Sequence, residues 1–459
     1  MRWPGQKGKD VLHYLRHGFI AIVALLMVFA LHRCIEVDHQ YTMIAPGTWR
    51  GVIYLDPRIE KMQPVEPPLY QKRGAAYRYT RSQQVVPFTF EVRYLSTDSF
   101  QLIIRNADER IVVDDIRFSR GPRGKADTLI LHFPEFASYI HVLVAGGYME
   151  GKFVIPSKQN YALDFEARFG DTQRFHLPRI PSKYPVEGRW KMHFTPDDTT
   201  RKSYYGIGEF QQRGHLLYGT VMTETGDYRY LEGVAADSLI KLSTFNGYWA
   251  FLFEGTLYGA DSMAGIFRSG PNYKARWTAV RDDDFRLGDP DTLTKVLDPL
   301  TPVQFRLPSS EGGIVDLDAP PYRQRPVIVQ IMGTWCPNCL DESRFLAEYA
   351  KRAGRHALPI IGVAFERFRD TTQALRHLKR YKERLGIPYP LVLGGKLERN
   401  APLRIFPQLE GIKSYPTLLL LDSNHRIRYV HTGFAGPATS EYPRFQKKFE
   451  ARVRELTRK

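Results

Sequence analysis

Residues 333 to 342 read GTWCPNCLDE and bring together the residue types from which sulfur chemistry is built. Two cysteines enclose a two-residue gap, a tryptophan precedes them, and a pair of acids follows. The chain has 459 residues and only three cysteines, so no disulfide framework holds it together. Pro337 suits the first position of a helix, where its missing N–H costs nothing. A helix starting there turns free N–H groups and the positive end of its dipole toward the preceding residue. A cysteine so placed loses its proton more easily, and the thiolate is the form that attacks disulfides. Cys336 is therefore expected to be the nucleophile, at the mouth of the site. Cys339, one turn inward, would resolve the mixed disulfide. A zinc site would need two more ligands, and neither a second Cys-x-x-Cys nor a His pair offers them. A structural bridge across so short a loop would remove little unfolded-state entropy. The spacing favours a redox couple.

The elements that must hold these residues can be read outward from them. PVIVQIM, just upstream, is a continuous apolar run bounded by turns, as expected of a strand covered on both faces. A helix over about residues 337 to 353 follows. Strand LPIIGVAF, helix TTQALRHLKRYKERLG, strands PLVLG, TLLLLD and RIRYVHTG, and a basic C-terminal helix complete the order. A buried sheet with helices packed on it is expected over residues 299–459. The Pro/Gly/Ser-rich stretch RLPSSEGGIVDLDAPPYRQRP leads into it.

Residues 40 to 300 read differently. Short runs rich in Val, Ile, Tyr, Phe and Thr, such as FTFEVRYLS and YALDFEARF, are split by turn residues, which predicts all-β sandwiches or barrels. The stretch also looks duplicated. Asp127 and Asp237 each open an Asp-(Ser/Thr)-Leu-Ile segment that ends in Gly-x-Phe, at Gly151 to Phe153 and Gly265 to Phe267. Trp49 in GTWRGVIYL corresponds to Trp190 in GRWKMHFTP, and both are expected to plug one end of a β-core. Two related units, 40–180 and 181–298, follow from this. DDDFRLGDPDT, from Asp282, lacks the ligand spacing of a calcium loop and reads as a solvated acidic turn.

The N-terminus bears on location. Arg2, Lys7, Lys9 and Arg16 precede the apolar run GFIAIVALLMVFAL at 18 to 31, and no small-x-small cleavage site follows it closely. Residues 1–39 are expected to be a cytoplasmic tail and signal-anchor, with cleavage as the alternative, and everything beyond them to be exported. Cys34 lacks the small preceding residue of a lipobox and is expected to have no role. The net charge of +16 is scattered rather than striped with aromatics, so it reads as solvated surface facing an anionic membrane, not as a nucleic-acid footprint.

Several motifs beyond the dithiol now share one pattern: VIVQIMGTWCPNC, Glu342 three positions after Cys339, GVAFE ending at Glu366, and SYPT at 414 to 417. With them, residues from about 302 onward resemble the exported, membrane-anchored TlpA/ResA-like branch of the thioredoxin superfamily. The β-rich stretch resembles N-terminal extensions of similar Bacteroidetes-type proteins, and no site is carried over from those. The resemblance implies that Trp335 and Pro337 support the dithiol and that Pro416 is a cis-proline beside it. It further implies that Tyr415, just before Pro416, offers backbone to a client and that metal is kept from the thiols. Glu342 falls where the branch carries an acid that exchanges protons with the inner cysteine; the competing reading is a first-turn acid complementing the helix dipole. Glu366 matches an acidic position in some relatives, and a surface location is expected of it at least as readily. Pro337 follows the first cysteine, whereas the branch commonly has proline before the second, which leaves the direction of electron flow open.

The expected architecture is an α+β multidomain chain: N-terminal anchor, duplicated all-β region, and C-terminal thioredoxin-like α/β domain. The expected activity is that of a periplasmic thiol–disulfide oxidoreductase, a protein disulfide reductase held at the inner membrane. It would need no cofactor beyond its own redox-active Cys336–Cys339 disulfide. The resemblance implies disulfide-containing exported proteins as clients, apo-cytochromes c among the candidates, and a membrane electron donor. Two alternatives stand beside it. A thiol peroxidase would place Thr three and Pro seven residues before its cysteine, where this chain has Gly333 and Val329. An envelope-binding protein would use the β-region for a ligand or partner, with the dithiol domain as an accessory.

Overall fold

The computed structural model describes residues 43–56, 84–122 and 125–458. The expected anchor at 18–31 and Cys34 lie outside the described residues. Among the described residues, no helix is long and apolar enough to cross a membrane.

Alternating burial builds the first β-unit. In Ser138–Ala145, residues 138, 140, 142 and 144 are buried while the residues between them are more exposed. Its first strand, Gly47–Tyr54, pairs with both Val85–Ser96 and the last strand, Ala162–Phe169. Nine antiparallel strands result, with edges at Glu109–Val113 and Ile116–Ser119. Among the described residues no ladder joins these edges, so the sheet stays open.

The second β-unit runs the same way round. Gly188–Pro196 pairs with Tyr204–Arg213 and with the last strand, Tyr273–Arg281. Here Tyr204–Arg213 also pairs with Leu216–Thr223, so the sheet closes into a barrel that leaves only the two-residue Gly226–Asp227 as a spur. Trp49 and Trp190 stand third in the first strands of the two units, and both are fully buried. Each indole N–H donates to the carbonyl four residues upstream, Ala45 at 2.9 Å and Val186 at 2.8 Å, so these plugs are polar-satisfied as well as apolar.

The thioredoxin-like domain has a sheet of β1 (Val327–Met332), β2 (Ile360–Glu366), β3 (Leu391–Lys396), β4 (Thr417–Leu421) and β5 (Ile427–Thr432), in spatial order β3-β2-β1-β4-β5. The first three are parallel, and β4 and β5 run antiparallel to their neighbours. Three helices accompany it: α1 (Pro337–Ala353), α2 (Thr371–Leu385) and α3 (Tyr442–Thr457). Asp370 caps α2 by accepting from Gln373 N–H at 2.9 Å, and Gly386, in the left-handed region, ends it. Strand β1 is buried on both faces: Ile328 and Met332 join the cluster that contains the helices, and Val327, Val329 and Ile331 join the opposite one. Gln330 is buried in the middle of this strand.

The acidic stretch from Asp282 is exposed at Asp283, Asp284 and Asp289, as expected of a solvated turn, and departs from that reading at Asp291. Asp291 accepts from His431 Nδ1 at 2.8 Å and pairs with Lys448 and Arg452 of α3. Although burial works against it, hydrogen bonds from those three groups hold its carboxyl well below the usual range. The connector is thereby pinned to the last helix.

Candidate active site

The dithiol sits where β1 hands over to α1. Cys336 is the N-cap of α1 in extended backbone, and its Sγ accepts the Cys339 N–H at 3.2 Å. The same thiol points at the carbonyl of Tyr415, 3.3 Å away, and the Tyr415–Pro416 peptide is cis. Both cysteines are free thiols. Cys339 is fully buried; that burial, then the hydrogen bond and charge of Cys336, push its thiol well above the ordinary range.

Glu342 lies one helical turn beyond Cys339, past the first turn of α1 where an acid complementing the dipole would stand, and is fully buried. Its Oε2 accepts from Gln330 Nε2 at 3.0 Å, while Oε1 has no hydrogen-bond partner among the described residues. Burial lifts its carboxyl to about 8 despite that hydrogen bond. Gln330 also reaches the Cys339 carbonyl at 3.3 Å and accepts from Ser343 at 3.1 Å. Tyr381 reaches Ser343 in turn. Sequence reasoning missed Gln330, although a lone amide in an otherwise apolar strand was a visible signal.

Glu366 corrects the surface location expected of it. It is buried at the end of β2, where its carboxylate accepts Thr334 N–H at 2.9 Å and Thr334 Oγ1 at 2.8 Å. Burial lifts its carboxyl to about 7, with the Thr334 hydrogen bonds opposing. The approach to Cys336 is thus held from below by an acid. Trp335 donates its indole N–H to Phe365 O at 2.8 Å, and its ring meets the Tyr415 ring edge-on at 5.3 Å. Arg367 lies 4.8 Å over the same indole.

Cys336 was expected at the mouth of the site, yet it is only 5 % exposed. It shares one buried cluster with Phe136 of the first β-unit and Tyr248 of the second. The middle of the motif is covered as well. Pro337 O accepts from Arg229 of the second unit at 3.2 Å. That guanidinium is clamped between Asp341 on α1 and Glu109 on an edge strand of the first unit. Burial works against its charge, but the two carboxylates outweigh burial and hold it above its ordinary range. Asp341 is nonetheless lifted, by its own burial first. Tyr248 and Arg229 lie far from the dithiol in sequence, and no local signal marked them.

A family model described as Redoxin matches residues 295–443. The thiol:disulfide interchange protein DsbE of Vibrio cholerae is 33% identical over 148 residues, which are 32% of this chain and 70% of that protein. The thiol-disulfide oxidoreductase ResA of Geobacillus thermodenitrificans is 23% identical over 112 residues, 24% of this chain and 57% of that protein. A thiol:disulfide interchange protein of Chlorobium tepidum aligns in structure at 20% identity with a TM-score of 0.27, over 35% of this chain and 97% of that one. With a dithiol at a helix start, a cis-proline against it and the likeness to the Vibrio cholerae DsbE, the chain belongs to the thioredoxin-family thiol–disulfide oxidoreductases of the TlpA/ResA type.

Proposed function

We propose that the protein is an exported, membrane-anchored protein disulfide reductase acting through Cys336-Pro337-Asn338-Cys339. The observation that carries this reading is the setting of the Cys336 sulfur. It accepts the Cys339 N–H at the start of α1 and faces the Tyr415 carbonyl beside cis-Pro416. The Cys336 thiolate attacks one sulfur of a client disulfide, forming a mixed disulfide and releasing the client's first thiol with a proton from solvent. Cys339 then loses its proton and attacks Cys336, breaking the mixed disulfide and releasing the second thiol. The client gains two electrons and the Cys336–Cys339 disulfide forms. An external dithiol donor at the membrane restores it.

Glu342 supplies the proton acceptor in this scheme, through the minority of molecules in which it is ionised near neutral pH. A carboxyl at about 8 beneath a thiol pushed well upward is a better match for it than an ordinary glutamate. Glu366 and Thr334 support the turn that carries Cys336, and the Tyr415 backbone offers pairing to an extended client. Clients are exported proteins with accessible disulfides, apo-cytochromes c among them by family analogy. The apolar run at 18 to 31 and its cationic flank support anchoring.

Insulin-disulfide reduction tests the reading. Cys336→Ser should abolish turnover, and Cys339→Ser should accumulate a mixed disulfide that mass spectrometry resolves. Glu342→Gln should slow the resolving step on the order of a hundredfold. Full activity in Cys336→Ser and Cys339→Ser would end the proposal.

A further inference from the structure

Two loops of the second β-unit lie against the face of the thioredoxin-like domain where a client would have to sit. The first is the turn at 225–229. Thr225 O accepts the Ser414 hydroxyl at 2.9 Å, two residues before cis-Pro416. A Cβ on Gly433 would stand 2.9 Å from the Thr225 carbonyl carbon and 3.1 Å from Gly226 N, so bare backbone meets bare backbone there. A Cβ on Gly226 would stand 2.0 Å from the Asn338 amide, and Gly226 itself has φ +129. Asp227 fastens the turn by accepting Gly436 N–H at 2.5 Å and Arg229 N–H at 2.7 Å. Arg229 completes it by bonding Pro337 O and pairing with Asp341.

The second loop, at 246–249, brings Tyr248 close enough to the dithiol for the charges of Cys336 and Glu366 to act on it. Asn246 Oδ1 accepts from Tyr248 N–H at 3.0 Å and Trp249 N–H at 2.8 Å, which fixes the loop's shape. Gly247, at φ +88, lies so close to Phe133 that a Cβ would come within 2.3 Å of that ring. Tyr248 is 3 % exposed, with the Phe136 ring 5.5 Å away and Lys158 Nζ 4.0 Å over its own ring. Disulfide exchange needs a client sulfur to approach the attacking sulfur along a line. With Cys336 only 5 % exposed, Tyr248 near enough to feel its charge, and Ser414 beside cis-Pro416 bonded to Thr225, that approach is filled by the chain itself.

The geometry points to a self-capped reductase. The 225–229 turn and the 246–249 loop form a cap over the client face, Arg229 is the latch, and clients gain Cys336 only when these loops part from the dithiol. The inference rests on the reading of Cys336 as the nucleophile and adds a gate to it. Arg229 is a positioning residue for the cap. Client reactivity is then scaled by the fraction of molecules with the cap open. An extended, unfolded segment bearing the disulfide is the client that can take the vacated strip beside Tyr415. A folded protein with a recessed disulfide is not.

The test uses the reduced full chain and the rate at which iodoacetamide alkylates Cys336, with insulin reduction measured alongside. Native protein should react at least about tenfold more slowly than Arg229→Met or Tyr248→Ala, and Arg229→Lys should return most of the protection. Hydrogen exchange on the native chain guards against variants that merely unfold. Amides of 225–229 should open far more readily than those of the barrel strands. If the uncapped variants alkylate faster but neither they nor the native chain reduces insulin, the gate stands and the reductase reading falls. If native Cys336 alkylates as fast as in the variants, the gate is overturned whatever the insulin assay shows. The gate is also overturned if the 225–229 amides exchange only with global unfolding.

Discussion

The two β-units share a strand order and a tryptophan plug but solve the problem of their edges differently. The second closes its ladder between Tyr204–Arg213 and Leu216–Thr223 and has a separate buried cluster around Trp190, Phe194, Phe253 and Phe267. The first leaves Glu109–Val113 and Ile116–Ser119 as open edges. Its core forms one cluster with Phe245 and Tyr248 of the second unit and with the α1 and α3 residues Phe345 and Phe449. An open edge is a hazard unless it is charged or covered. Here it carries acids that meet cations of other parts of the chain: Glu109 meets Arg229, and just beyond the strands Asp114 meets Arg384 and Asp115 meets Arg380. The closed unit can therefore act as a rigid bearer of the cap loops. The open one is completed by docking.

The sharpest way to break this comparison is to separate the parts. A fragment of residues 181–298 should show a cooperative thermal transition with native near-ultraviolet circular dichroism. A fragment of residues 43–180 should bind a hydrophobic dye and melt without cooperativity. Equal behaviour of the two would mean that ladder closure is irrelevant to independence.

A second test acts through pH. Glu342 has a folded-state value of about 8 against an ordinary 4.5, so it is protonated when buried and ionised when unfolded across that window. Its contribution is greatest below about 4.5 and falls by about 1.4 kcal/mol per pH unit as pH rises toward about 8. Asp227 and Glu366, each lifted to about 7, act with the same sign. Urea unfolding followed by hydrogen exchange at pH 5 and pH 8 should show the thioredoxin-like domain and the first unit weakening together, with the barrel less affected. Glu342→Gln should flatten much of this slope. An unchanged slope would separate the shared core from its buried acid.

The smallest effect is expected at the rim. Arg384 pairs with Asp114 and, at 3.1 Å, with Glu135, all in partial contact with solvent. Arg384→Ala should cost no more than about 1 kcal/mol and should lose its effect in high salt. A larger cost would show that the open edge relies on its ion pairs more than on its core.

What could be read in advance followed the range of the signals. Cys336, Cys339, Pro337 and Pro416 sit in short motifs, and the alternation of β1, α1, β2 and α2 is written in local periodicity. The depth of Glu366 was not readable, because its burial depends on Thr334 of another element folding over it. The cap was further out of reach. Arg229 meets Pro337 across 108 positions, and a buried arginine has the same letter as a solvated one. Even the closure of the second unit into a barrel rests on one extra ladder that strand propensities cannot announce.

The meeting of Gly226 and Gly433 has one more consequence. Most protein surfaces that touch absorb small displacements by rotating side chains about χ angles. Where two glycine backbones abut, nothing is available to rotate, and a slight slip meets hard atoms at once. Such a joint is either seated or parted, so its motion should register as exchange between two discrete populations rather than as a continuous softening.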